Sequence, residues 1–283
     1  MRVVFNCTFH NFHREYCESI AEEIARRDGE AIFADGPEEN SGRYEVDFCI
    51  QPDEACERLG AKIGVWINHA LPVIPQNDFY LGEPFKSRLA KNADYIFTFS
   101  DAWKEWHEMY GLPVHSVGLP KLDNYFSNIE GGHILYAPTH PWKPGVYSGP
   151  SIDLERLTRY GSVIYRGHPV FHPDQESSME SLKKSSIVIS DYSSMGLEAI
   201  ILNIPTILIG QERWRNVKTD HISERADAAT IRVYSQDELE AAIRTYLDNP
   251  KHLEDKRLKY SKLLCANQGH ASKKFVDALE AFL

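Results

Sequence analysis

From Ile187 to Ile209 the chain reads IVISDYSSMGLEAIILNIPTILI: a buried-strand run, a hydroxyl-rich turn, a helix-length stretch and a second strand run. Strand, helix and strand in that succession belong to a parallel sheet, whose neighbouring strands need a long crossover between them. The same alternation recurs along the 283 residues. In the first half it predicts strands at Arg2–Cys7, Ala31–Ala34, Phe48–Ile50, Ile63–Asn68, Tyr95–Phe99 and Val114–Ser116. Helices are expected near Glu15–Arg27, Asp53–Leu59, Phe85–Asn92 and Asp101–Met109. The stretch Gly118–His133 carries Gly, Pro, Asn and Ser without a clean period, as an interdomain connection does.

The pattern then restarts. Strands are expected at Ile134–Ala137, Ser162–Tyr165, Ile187–Ser190 and Thr206–Ile209, with helices near 152–160, 177–184 and from Ser194. A helical tail covers Gln236–Asp248, Leu253–Leu264 and Ser272–Leu283. The expectation is an α/β protein of two Rossmann-like domains facing a central cleft, because such sheets bind ligands at the carboxyl ends of their strands. Residues 1–125 would form the N-terminal, acceptor-side domain and 126–267 the C-terminal, nucleotide-binding one. A last helix over 268–283 would pack back on the first domain.

A net charge of −10 argues against bulk attraction to nucleic acid. Five cysteines, odd in number and never spaced CxxC, read as reduced packing residues rather than a disulfide frame or zinc site. The chain opens directly on a strand-like run, MRVVFNC, and carries no apolar stretch of membrane-spanning length. The expected location is therefore the cytoplasm. One basic region, with seven Lys/Arg between Lys251 and Lys274, offers a peripheral contact to the inner membrane face; a solvated helix face is the plainer reading.

Four constellations carry chemistry. In Ser190-Asp191-Tyr192-Ser193-Ser194 the hydroxyls and the first N–H groups of the following helix would converge where the helix dipole favours an anion. The plain alternative is an N-cap at Ser193 or Ser194. Glu198 lies four residues past Ser194, outside a capping box, and is available to accept ribose hydroxyl hydrogens. Arg166-Gly167-His168-Pro169 leaves its strand by a tight exit, so Arg166 and His168 sit at a carboxyl end, where the arginine is expected to bind the donor phosphate and the histidine can donate to a phosphate or protonate a leaving group. Pro138 and Thr139, at the end of the first strand of the second half, would line the phosphate or base pocket. His69, in Trp66-Ile67-Asn68-His69-Ala70-Leu71-Pro72, is the best-placed general base. No metal or cofactor is called for; His10 and His13 form an HxxH with no further ligand at suitable spacing.

The stretches GLPKLDNYF, ILYAPT, RGHP, SDYSSMGLEAIILNIPTILI and QGHASKKFVDAL resemble, in order and spacing, the CDP-glycerol glycerophosphotransferases. These are the teichoic-acid primases and polymerases, of glycosyltransferase-B fold. The resemblance spans roughly Ala93 to the C-terminus, and DYSS followed by Glu198 is its most specific part. NHALP looks like the family's element that carries the catalytic base, with Ala70 and Leu71 in place of glycine and threonine. GLPKLD has Leu119 and Lys121 where the family has tyrosine and arginine. The resemblance implies His69 as base, and His168, Ser193 and Ser194 as ligands of the donor pyrophosphate.

The expected activity is transfer of a glycerophosphate-like group from a CDP-activated donor to an acceptor hydroxyl, on a glycan or lipid-linked glycan, in surface-polymer synthesis. Two alternatives stay open. One is a glycosyltransferase that releases a nucleoside diphosphate from a nucleotide sugar; the other is a nucleotide-binding protein without catalysis.

Overall fold

The computed structural model describes residues 1–7, 13–34, 44–52, 57–67, 89, 91–138, 151–169, 172, 174–191, 193–210 and 226–283. They form two compact units. One takes the described part of 1–124 together with Cys265–Leu283, and the other Tyr125–Leu264.

The first unit is built on six parallel strands: β1 (Arg2–Asn6), β2 (Glu30–Ala34), β3 (Phe48–Gln51), β4 (Ile63–Ile67), β5 (Tyr95–Thr98) and β6 (Val114–Ser116). Their spatial order is β2-β1-β3-β4-β5-β6. Successive side chains on a strand point to opposite faces, and both faces here are covered. Val3, Phe5, Ile50, Val65 and Phe97 pack on Cys17, Ile20 and Ile24 of helix Arg14–Arg26 and on Phe275, Val276 and Leu279 of helix Ala271–Glu280. Val4 and Cys49, on the other face, meet Leu59 and Ala61, while Trp66 and Ile96 meet Leu89 and Tyr110. Burial on both sides is why these strands read as continuous apolar runs.

A clasp joins the terminal segment to this unit. The Asp123 carboxylate accepts from the Ala271 and Ser272 N–H groups at 2.9 and 2.7 Å and from the Ser272 hydroxyl at 2.6 Å. These are the first N–H groups of the last helix, which have no partner within it. Gly118, at φ +101°, lets the Ala266 carbonyl approach; a Cβ there would lie 2.5 Å from that oxygen. GLPKLD and QGHAS are thus two halves of one structural contact.

The second unit has five parallel strands, β7 (His133–Ala137), β8 (Ser162–Tyr165), β9 (Ser185–Ser190), β10 (Thr206–Ile209) and β11 (Ile231–Val233), in the order β11-β10-β9-β7-β8. Counted from its own first strand, this is 2-1-3-4-5, the order of the first unit's first five strands. Ile134, Ile187, Ile189, Ile207 and Val233 share a core with Leu239, Ala242, Ile243 and Tyr246 of helix Gln236–Asp248.

Some expectations change in detail. Strand β11 was not anticipated. The helix expected near 152–160 is a single turn, Leu154–Leu157, continued as a 3₁₀ turn over Thr158–Tyr160. That expected over Asp101–Met109 starts as 3₁₀ and is α-helical over Lys104–Glu108. The helices expected over Asp53–Leu59 and Phe85–Asn92 fall largely outside the described residues, and Leu59 itself sits in a turn at φ +51°. Lys251–Leu264 belongs to the second unit and Lys273 and Lys274 to the first; on helix Glu254–Leu264, Lys256, Lys259 and Lys262 are exposed beside Leu258 and Leu263. Among the described residues no helix is long and apolar enough to cross a membrane.

Candidate functional site

Where the strand order of an open parallel sheet reverses, the helices that follow the two central strands leave to opposite faces, and a crevice opens at the strands' carboxyl ends. In the second unit the reversal falls between β7 and β9. Tyr136 is level with Ile189 and Ala137 with Ser190, so both strands end at one height. The buried Ser190 hydroxyl donates to the Ala137 carbonyl at 2.8 Å and ties the two ends together. Ala137-Pro138 and Ser190-Asp191 therefore leave the sheet side by side.

From this point the chain enters helix Ser194–Ile201. Ser193 is its N-cap, in extended conformation (φ −81°, ψ 144°), and its Oγ accepts from the Met195 N–H at a long 3.4 Å. The capping alternative thus holds for Ser193. Ser194 is the first helical residue, and both serines are partly exposed. The first turn itself contains no acidic residue, while the Asp191 carboxylate, two residues before the N-cap, is the one charge of the turn that opposes an anion there. Gly196 brings this end close to the sheet: a Cβ there would lie 2.9 Å from Leu208 Cδ2 and 3.5 Å from Ser190 Cβ.

The segment after β8 lies next to the end of β7, since Tyr165 pairs with Tyr136 and the Arg166 N–H donates to the Tyr136 carbonyl at 2.9 Å. The Arg166 side chain, expected at the donor phosphate, is buried and its Nη1 donates to the Glu176 carbonyl. His168 is partly exposed, and its carbonyl accepts from the His172 N–H at 3.1 Å. The His172 ring stands edge-on to Tyr165 with centroids 6.0 Å apart. Burial, with the Asp191 carboxylate adding to it, pushes the Tyr136 phenol up to about 12, so it remains a neutral hydroxyl near pH 7.

Glu198 is wholly buried, beneath the turn rather than at its surface. In this conformation its carboxylate offers no solvent-facing contact to a ribose. Pro138 is half-buried at the end of β7. His69 and Thr139 lie outside the described residues, as does His10; His13 is buried at the start of helix Arg14–Arg26. The reversal thus brings Pro138, Ser193 and Ser194 to adjoining chain exits, with Arg166 and His168 one strand further out. The Ser190 hydroxyl, expected among those converging on the anion, is instead buried and turned to the Ala137 carbonyl; the Gly196 approach is not singled out from sequence, where its signal is a glycine early in the helix.

No protein-family model and no curated protein matches this sequence. Solved structures do match by fold. The wall teichoic acid polymerase TagF is similar at a TM-score of 0.74 and 15% identity, over 99% of this chain and 88% of that one. A variant of that polymerase soaked with CDPG gives 0.75 at 14% identity, with the same coverage. The spinosyn forosaminyltransferase SpnP gives 0.55 at 13%, over 100% and 99% of the two chains. Anabaena Alr3699/HepE in complex with UDP-glucose gives 0.53 at 10%, over 99% and 100%. At these identities the likeness establishes the fold: α/β, with two parallel-sheet units, of the glycosyltransferase-B type.

Proposed function

We propose that this chain is a glycosyltransferase-B-type transferase that holds the diphosphate of a nucleotide-activated donor at the β7–β9 reversal. The observation that carries the reading is the meeting of two strand ends, locked by Ser190, at the start of a helix whose first turn presents serine hydroxyls and N–H groups without an acid. Ser194, Ser193 and the helix N–H groups would stabilise charge developing on the phosphates, and His168 would add a donor from the neighbouring exit. Arg166 gives one guanidinium N–H to the Glu176 carbonyl, and its part in binding the phosphates would be played from that buried position. Glu198 would reach a ribose only if the donor uncovers it.

Within this class we favour transfer of a polyol phosphate from a CDP-linked donor. The acceptor hydroxyl oxygen attacks the distal phosphorus as the bond to CMP breaks; the acceptor's proton passes to the base, assigned to His69 by resemblance, and CMP leaves. Support comes from the order and spacing of DYSS, RGHP and GLPKLD and from the fold shared with a polymerase that has been soaked with CDPG. The second reading, attack on the anomeric carbon of a nucleotide sugar with loss of a nucleoside diphosphate, is favoured by the fold shared with a forosaminyltransferase and with a protein bound to UDP-glucose.

A thermal-shift panel of CDP-glycerol, CDP-ribitol, CMP, UDP-sugars and GDP-sugars separates them. A ligand at a hundred times its dissociation constant adds about 2.7 kcal/mol of stability. Stabilisation by the CDP donors and CMP, removed in the Ser193→Ala, Ser194→Ala double variant, is the expected result. Stabilisation only by UDP- or GDP-sugars would favour sugar transfer, and a full shift retained in the double variant would refute the phosphate site.

A further inference from the structure

We propose that the exposed ring of Tyr165 is the platform on which the donor's nucleobase stacks, an assignment that rests on the donor site at the β7–β9 reversal. Tyr165 ends β8 and is 45% exposed, the most exposed large apolar or aromatic side chain on any strand among the described residues. It pairs with Tyr136, which in turn pairs with Ile189, so its backbone lies two strand spacings from β9. That is about 9.6 Å from the strand that delivers the serine turn, a separation suited to a base and its own diphosphate.

The ring is held rather than loose. Tyr136 lies beside it with centroids 5.9 Å apart and planes at 45°. His172 meets it edge-on, at 89° and 6.0 Å. His172 takes that place because position 167 has no side chain: a Cβ on Gly167 would fall 2.1 Å from the His172 ring. Neither neighbour is stacked on the ring, and at this exposure ring surface remains in water for a flat heterocycle to cover. The motif RGHP thereby acquires a second use, with its glycine seating the histidine that steadies the platform.

Every base has a π-face, so stacking on Tyr165 gives affinity for nucleosides without choosing among them. Removing the ring should weaken CMP, UMP and GMP alike, and leave inorganic pyrophosphate untouched. The expected loss is roughly five- to 150-fold in dissociation constant, the factor carried by one base on one ring. The experiment is isothermal titration of CMP, GMP and pyrophosphate into the full chain and into Tyr165→Ala, Tyr165→Leu and Tyr165→Phe. Melting temperatures verify that each variant is folded, which the exposure of the side chain favours. The phenylalanine variant should bind as the wild type does, and alanine and leucine should lose nucleotide affinity only.

Unchanged CMP binding in Tyr165→Ala, or equal loss in Tyr165→Phe, would overturn the platform. If at the same time Ser193→Ala, Ser194→Ala lost pyrophosphate, the donor site would stand without it. A wild-type chain that bound neither nucleotide nor pyrophosphate would overturn both.

Discussion

His107 should make the first unit sensitive to mild acid, and the size of the effect follows from its surroundings. The side chain is fully enclosed, with Trp106, Trp66 and Tyr110 ring centroids at 4.8, 5.7 and 6.4 Å. Nδ1 lies 2.8 Å from the Trp103 carbonyl and 3.0 Å from Thr98 Oγ1. A carbonyl only accepts, so Nδ1 carries the proton and Nε2 is bare; among the described residues Nε2 has no hydrogen-bond partner. A second proton would place a charge among aromatic rings, and burial pushes the imidazole down to about 4, partly offset by the Trp103 carbonyl. The unfolded chain binds that proton near pH 6.5 and the folded one only near 4. Stability from neutral His107 is therefore complete above pH 6.5 and is lost as pH falls toward 4. Between pH 7 and pH 5 the linkage amounts to about 2 kcal/mol. Urea unfolding followed by tryptophan fluorescence, at both pH values, measures it. His107→Asn keeps an N–H donor and removes the titration, cancelling the acid response of every other group. The wild type should lose about 2 kcal/mol more than the variant; losses equal to within about 0.5 kcal/mol would refute the assigned burial and tautomer.

Asp123→Ala should destabilise the first unit by at least about 1–2 kcal/mol, since it removes three bonds from the start of the last helix, and Asp123→Asn by less. Thermal melts and earlier proteolytic release of 265–283 report it; an unaltered proteolysis pattern would show that the clasp does not hold that segment. Gly64→Ala should cost about 1–3 kcal/mol or more, because its Cβ would lie 2.1 Å from the Asn92 carbonyl oxygen, a backbone atom that cannot rotate aside. A melting temperature equal to wild type would contradict that packing.

Legibility followed burial. Strands enclosed on both faces, such as Val3–Phe5 or Ile187–Ile189, announce themselves as apolar runs whatever surrounds them. The three-residue β11 did not, because Ile231 and Arg232 are only half-buried and the strand exists through pairing with Ile207–Ile209. The same limit governs the site. A hydroxyl-rich turn between an apolar strand and a helix was readable, and the structure has a strand end and a helix start there. What each hydroxyl does was not, since Ser190 finds Ala137 across 53 positions in the chain. Glu198 shows why spacing alone could not place its carboxylate: helix Ser194–Ile201 is buried at every residue from Met195 onward, so no polar face marks which way an acid points. GLPKLD and QGHAS carry the lesson furthest. Each looked like a separate signature, yet Asp123 meets Ala271 and Ser272 across almost 150 positions, and a recurring pair of motifs can mark a contact that holds the fold together as readily as one that touches a substrate.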